Sequence, residues 1–179
     1  MDKKRCSWAV DDPLLIEYHD NEWGVPLTGD DELFERLTLE VFQAGLNWRL
    51  MLQKRAAFRK AFADFSIERV ASFTKKDVAR LLRDKSIIRN RLKIESTIEN
   101  ARRLHGIIAE HGSFAKYLDS LTGSQDELTR EFKKRFRFMG PEIVKCFFHG
   151  IGRIDGIHEP GCWKARKPRR TSPKRCRNA

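Results

Sequence analysis

The stretch Asp30-Asp31-Glu32-Leu33-Phe34-Glu35-Arg36-Leu37-Thr38-Leu39-Glu40-Val41-Phe42-Gln43-Ala44-Gly45 sets Leu33, Phe34, Leu37, Val41 and Ala44 at helical spacing. Such spacing makes one apolar stripe on a helix, and a glycine is the usual stop at its end. Asp30 or Asp31 serves as the opening cap. The same period recurs along the chain with no sustained alternation at period two, so the expected fold is all-α.

Toward the N-terminus, Asp12-Pro13 reads as a cap and first helical residue, leading through Leu14, Leu15 and Tyr18 toward His19. On the other side, Asn47 caps a helix running from Trp48 through Met51, Phe58 and Phe62, and Ser66 opens a short one. Thr74-Lys75-Lys76-Asp77 has the spacing of a capping box before Val78, Leu81 and Leu82. A turn over residues 84–91 then leads into a long helix carrying Ile94, Ile98, Ala101 and Leu104, a helix-hairpin-helix outline. Gly112-Ser113 ends that run, and Phe114, Tyr117 and Leu118 mark a short helix. Ser124-Gln125-Asp126-Glu127 is a second capping box before Leu128 and Phe132. Gly140-Pro141 starts a last helix with Ile143, Val144, Phe147 and Phe148, and beyond Gly152 the pattern fades.

A chain of 179 residues can bury one real core, and residues 1–162 read as a single helical domain, with room for two lobes sharing that core. The 36 Lys and Arg against 25 Asp and Glu give a formal net charge of +11, which favours a polyanionic partner. Eight of those cations (Lys164, Arg166, Lys167, Arg169, Arg170, Lys174, Arg175, Arg177) follow Trp163 with no acid among them. Residues 163–179 therefore read as a disordered basic tail, either a non-specific nucleic-acid contact or a solubilising arm. No secretory signal is visible at the start, and no stretch approaches the ~18 apolar residues of a membrane span. A cytoplasmic protein with no membrane partner is expected, in which four cysteines act as thiols or metal ligands rather than disulfides.

Glu40 falls on the same helical face as Leu33, Leu37 and Ala44. A carboxylate there is costly without a partner. Two readings stand side by side: a buried acid paired with one of the many arginines, or an acid belonging to a site beside the break Ala44-Gly45-Leu46-Asn47-Trp48. Cys6 and His19 near the start, with His158-Glu159-Pro160-Gly161-Cys162 near the end of the body, offer two thiolates and two imidazoles. Together they suit a closed tetrahedral zinc site, the alternative being free cysteines and surface histidines. Cys146 reads as core, Cys176 as a spare thiol, and His105 and His111 as helix-surface residues.

The ordered segments Cys6-Ser7-Trp8, Asp12-Pro13-Leu14, Tyr18-His19-Asp20-Asn21-Glu22-Trp23-Gly24-Val25-Pro26, Leu39-Glu40, Gln43-Ala44-Gly45-Leu46-Asn47-Trp48 and Ile87-Ile88-Arg89-Asn90-Arg91 resemble the signatures of the 3-methyladenine DNA glycosylase I family, over about residues 6–162. The resemblance implies a helix-hairpin-helix glycosylase fold whose termini are tied by a structural Zn2+ on Cys6, His19, His158 and Cys162. It also implies monofunctional hydrolysis of the N-glycosidic bond of flipped-out 3-methyladenine in alkylated double-stranded DNA, with Glu40, Tyr18 and Trp48 forming the base pocket and Glu40 as its acid. The chemistry fits, because this methylated base is cationic in DNA and a carboxylate with aromatic faces favours it over neutral adenine. The same charge makes it a good leaving group, so the protein has mainly to flip it out and stabilise the sugar cation.

Further expectations stand beside the resemblance. Leu46, at the tip of the break, is a wedge for the base stack or a core residue. Arg89, Asn90 and Arg91 contact the DNA backbone through a turn without glycine, in which Asn90 is best able to take a positive φ. Related glycosylases carry an Asp beyond the hairpin, and this chain offers only Glu110 between Leu104 and Gly112, an absence that matches the family. Lys93 is a Schiff-base nucleophile, as in bifunctional enzymes, or a helix-surface lysine. The run Asp155-Gly156-Ile157-His158 departs from the family's Asn-Asp-His, so the register of His158 stays open, with His149 as its substitute. A monomer is the default, and no redox or nucleotide cofactor is needed. Two rivals remain: a zinc-stabilised DNA-binding module without catalysis, which needs no carboxylate on an apolar stripe, and a metal-dependent nuclease, for which no clustered Asp/Glu set exists.

Overall fold

In the computed structural model, which describes residues 3–154 and 158–165, the chain runs through α1 (Pro13–Asn21), α2 (Asp30–Gln43), α3 (Trp48–Ala61), α4 (Ile67–Ala71), α5 (Lys75–Arg83), α6 (Arg91–His111), α7 (Phe114–Ser120), α8 (Gln125–Arg135) and α9 (Pro141–Gly150). No strand occurs among the described residues, so the all-α expectation holds. Cys176, the tail cations from Arg166 onward and the run 155–157 lie outside the described residues.

The helix starts follow local chemistry. Asp12 accepts the N–H groups of Leu14 and Leu15 ahead of α1, and Asn47 accepts that of Leu50 ahead of α3. Both capping boxes form, Thr74 with Asp77 and Ser124 with Glu127. At the end of α6, Gly112 takes the left-handed conformation (φ 84) that closes a helix without a Cβ clash. α2 departs from expectation: Gly29 is its cap, and Asp30 and Asp31 sit inside its first turn. Their carboxylates cap other helices instead, Asp30 accepting the Phe114 N–H at the start of α7 (2.9 Å) and Asp31 the Ile67 N–H at the start of α4 (2.9 Å).

Every residue of α2 from Leu33 to Phe42 is buried, since the helix packs against α3, α4, α6, α7 and α9. The apolar stripe read from the sequence is therefore part of a helix enclosed on all sides, which also buries Glu35, Arg36, Thr38 and Glu40. α6 is the other spine, 21 residues long and so about 31 Å at 1.5 Å per residue. It packs on α2, α4, α5 and α7. The core holds one aromatic group built around Phe34, Phe42, Phe58 and Phe62 and another around Phe114, Phe132, Phe136 and Phe147, both within one continuous cluster. Two backbone ties bring the ends together: Gly24 N–H donates to Gly150 O (3.1 Å), and Trp163 N–H to Lys4 O (2.8 Å).

Candidate active site and metal centre

Tyr18 on α1 and Trp48, the first residue of α3, have ring centroids 5.3 Å apart, and Trp23 lies 6.0 Å from Tyr18. Trp48 holds its place because Gly45 (φ 81) lets the chain reverse after α2 and Asn47 starts α3 at once. The rings of Tyr18 and Trp48 face a cavity of about 220 Å³ that Arg36, Leu39 and Gly150 also line, together with the carboxylates of Glu22, Glu32 and Glu35. The buried indole N–H groups of Trp23 and Trp48 have no hydrogen-bond partner among the described residues.

Glu40 is 2% exposed but does not line that cavity. Arg36, one turn earlier on α2, stands there. Its Nε and Nη2 donate to Glu40 Oε1 (3.1 and 2.8 Å), and its Nη1 donates to the Tyr18 hydroxyl oxygen. The guanidinium carbon is 4.4 Å from the Trp48 ring centre, 5.2 Å from that of Tyr18 and 5.4 Å from that of Trp23. A β-carbon at Gly150 would collide with this guanidinium, so the glycine leaves room for it. Burial pushes the Glu40 carboxyl above its ordinary range while the Arg36 charge opposes the shift. Burial likewise pushes the Tyr18 phenol up, with Arg36 opposing.

The pairing read for Glu40 holds, with Arg36 as its arginine, and that arginine also stands against the rings of Tyr18, Trp23 and Trp48. Arg36 and Trp23 were not singled out from the sequence. The signal available for Arg36 was its position four residues before Glu40, the spacing of helical neighbours. A second network lines the same cavity, in which Glu35 accepts from Arg55 (2.5 Å) and Arg59 (3.0 Å), and Glu22 pairs with Arg55 (2.5 Å).

At the joined ends, the ligand atoms of Cys6, His19, His158 and Cys162 lie within 4.8 Å of one another. Cys6 Sγ is 3.6 Å from His158 Nδ1, and Cys162 Sγ is 3.4 Å from His19 Nε2 and 3.8 Å from His158 Nδ1. Those spacings match the edges of a tetrahedron with metal–sulfur and metal–nitrogen bonds of about 2.3 and 2.0 Å. His19 Nδ1 is 2.8 Å from Asp20 Oδ1, the carboxylate contact that orients a ligating imidazole, and the Glu159 N–H points at Cys6 Sγ (3.3 Å). Burial raises the Cys6 thiol to about 11, with Cys162 adding to the rise, and a divalent cation between the sulfurs would reverse that. His158 therefore stands in the cluster, whereas His149 lies on α9 along another cavity with Lys145 and Arg153.

The remaining candidates divide. Leu46 is 40% exposed at the α2–α3 turn, and Arg89, Asn90 and Arg91 are exposed at the start of α6. Lys93 joins these two places, its Nζ donating to Phe42 O (2.9 Å) and Ala44 O (2.6 Å). It is 5% exposed, so the helix-surface reading of Lys93 is corrected: the ammonium caps the carbonyl end of α2. Asn90 does not take a positive φ. It is the cap of α6, with extended backbone (φ −113) and its side chain accepting the Lys93 N–H, a role incompatible with the left-handed turn expected of it. Glu110 is exposed and paired with Arg135 (3.2 Å). Cys146 is only partly buried, and burial raises its thiol to about 11.

Against known proteins, residues 8–131 match the methyladenine glycosylase family. The chain is 37% identical over 179 residues to DNA-3-methyladenine glycosylase 1 of Escherichia coli (strain K12), covering 89% of this chain and 95% of that protein. It is 30% identical over 171 residues to DNA-3-methyladenine glycosylase of Haemophilus influenzae, covering 84% and 92%. Among solved structures, a crystal structure of 3-methyladenine DNA glycosylase I superposes with a TM-score of 0.83 at 38% identity over 91% of this chain and 100% of that one. The Staphylococcus aureus enzyme, solved to explain its recognition of 3-methyladenine, superposes with a TM-score of 0.81 at 32% identity over 91% and 97%. The chain belongs to the methyladenine glycosylase family.

Proposed function

We propose that this chain is a DNA-3-methyladenine glycosylase of base-excision repair, which takes 3-methyladenine extruded from alkylated double-stranded DNA into the cage of Tyr18, Trp23 and Trp48 and hydrolyses its N-glycosidic bond. The observation that carries this reading is a buried acid, Glu40, held at an aromatic cage in a chain of this family. The aromatic faces attract the cationic base, and the Glu40 carboxylate complements its charge. Because the base leaves as a neutral molecule, no strong acid need protonate it. The negative field of the site stabilises the sugar cation until water adds. The Lys93 ammonium is engaged with two carbonyls, which supports hydrolysis by water over attack by an amine.

The four-ligand cluster supports a structural Zn2+ held by Cys6, His19, His158 and Cys162, whose contribution there is to cross-link the two ends of the chain. Leu46 and the turn Arg89-Asn90-Arg91 form the DNA face of a helix-hairpin-helix, with Leu46 as wedge and the N–H groups at the start of α6 near backbone phosphates. One chain supplies cage, cluster and DNA face, so a monomer suffices.

Release of free base from DNA treated with a simple methylating agent, resolved by chromatography, tests this function. Liberated 3-methyladenine with the strand left intact at the abasic site is the expected result. A folded protein that binds the DNA yet frees no base would establish the non-catalytic binding module instead.

A further inference from the structure

Glu40, Tyr18 and Trp48, three of the four groups that the proposed function assigns to the base, are already engaged by one residue of the chain itself. Arg36 binds Glu40 through two nitrogens, donates to the Tyr18 hydroxyl and stacks 4.4 Å from the centre of the Trp48 ring. A guanidinium is planar and cationic, as methylated adenine is in DNA, so Arg36 sits in the cage as an internal likeness of the substrate. Two such cations cannot share one buried carboxylate and one aromatic face, because their repulsion is poorly screened there. For a base to reach Glu40, Arg36 has to leave.

There is a place for it to go. Glu32, one turn before Arg36 on the same helix, lines the same cavity, is exposed and has no ion-pair or hydrogen-bond partner among the described residues. An acid four residues before a base is the favoured order on a helix, whereas the Arg36–Glu40 pair runs in the reverse order. Burial compensates for that order in the closed arrangement, since Glu40 is enclosed and Glu32 faces solvent. In the open arrangement Arg36 exchanges an enclosed pair for a solvent-facing one, and the cationic base offsets that cost by pairing with Glu40 in its place.

We propose, resting on the base pocket put forward above, that Arg36 is a specificity-determining gate that closes the cage against Glu40 and swings to Glu32 when a cationic base takes its place. A neutral base cannot replace the guanidinium's bond to Glu40 and leaves the gate shut. A cationic base substitutes for the guanidinium in both the ion pair and the stacking contact. The gate adds a threshold that adenine fails and 3-methyladenine passes, at some loss of affinity for both.

Calorimetric titration of 3,9-dimethyladenine, which is cationic as the N3-methylated nucleotide is, and of neutral 9-methyladenine into wild type, Glu32→Gln, Arg36→Met, the double variant and Glu40→Gln tests this. Arg36→Met should bind the cation about tenfold more tightly and should gain at least as much for the neutral base, because no closed state competes. Glu32→Gln should weaken binding of the cation about twofold, and that effect should vanish in the Arg36→Met background. Removing Arg36 strands a buried carboxylate, so Glu32→Gln, at an exposed position, carries the test by itself if Arg36→Met does not fold. The Arg36 Nε–H resonance, which should move on adding 3,9-dimethyladenine to wild type, gives an independent reading. Binding lost in Glu40→Gln but unaffected by Glu32→Gln, with an unmoved Arg36 resonance, overturns the gate and keeps the pocket. Binding indifferent to Glu40→Gln overturns the pocket, and the gate with it.

Discussion

Arg36 and Glu40 form a buried ion pair one turn apart on α2, with Nη2 2.8 Å from Oε1, at the wall of a cage made by Tyr18 and Trp48. Each residue makes sense of the other. The carboxylate is tolerated in the interior because the guanidinium compensates it, and the guanidinium is tolerated because carboxylate, phenol and indole surround it. Such a pair is maintained by the fold around it, and Gly150 of α9 provides the space.

The Tyr18 hydroxyl should matter to stability as well as to binding. Tyr18→Phe leaves a buried Arg36 N–H group without its acceptor, which costs about 1–3 kcal/mol and should appear as a lowered midpoint in urea with an unchanged slope.

Trp48 should act mainly on the charged ligand. Replacing it with leucine keeps an apolar wall but removes the π face, and affinity for 3,9-dimethyladenine, cationic as the methylated nucleotide is, should fall about tenfold, the magnitude of a lost stacking or cation–π contact. Adenine binding should change less. An equal loss for both would mean that Trp48 contributes shape alone.

Zinc binding should be one ion per chain and sensitive to acid. Burial raises the Cys6 thiol to about 11, so at neutral pH the incoming ion has to displace its proton. Cys6 by itself therefore makes the apparent affinity fall about tenfold for each unit of acidification. Chelation should lower the melting temperature and loosen both ends, read by metal analysis and thermal unfolding.

Asp20 should support that centre from outside. The Arg5 hydrogen bond, aided by the contact to His19, holds its carboxyl well below the ordinary range. A depressed carboxyl contributes stability at pH values above its unfolded pKa of about 4, and that contribution is lost as pH falls below it. Asp20→Asn should weaken zinc about tenfold or more, the usual effect of losing a carboxylate that orients an imidazole, without altering binding of free base.

On the DNA face, Arg89→Ala should weaken binding to duplexes of any sequence and reduce the salt slope of log K by about 1, the signature of one phosphate contact. Binding of free base should not change.

The helices were legible because their starts are local: Asp12, Asn47, Thr74 and Ser124 cap the segments that follow them, as their spacing indicates. The four Cys and His donors were legible as residue types, though only the fold brings ends separated by more than a hundred residues together. What stayed hidden was tertiary. Asp30 and Asp31 look like caps of their own helix because nothing local reveals that α7 and α4 begin beside them. Lys93 looks like a surface lysine until the end of α2 is placed over it. Arg36 looks like a solvent-facing cation because a stripe pattern assumes an exposed back, and α2 has none from Leu33 to Phe42.

The measurement that bears most directly on the central claim is release of free base from methylated DNA by wild type and Glu40→Gln, with folding monitored in parallel. We predict 3-methyladenine release by wild type and a rate about a hundredfold lower for the folded variant, in keeping with removal of a charge that stabilises a transition state. Equal rates from two folded proteins would contradict the account, leaving Glu40 as a structural partner of Arg36 and placing the chemistry elsewhere.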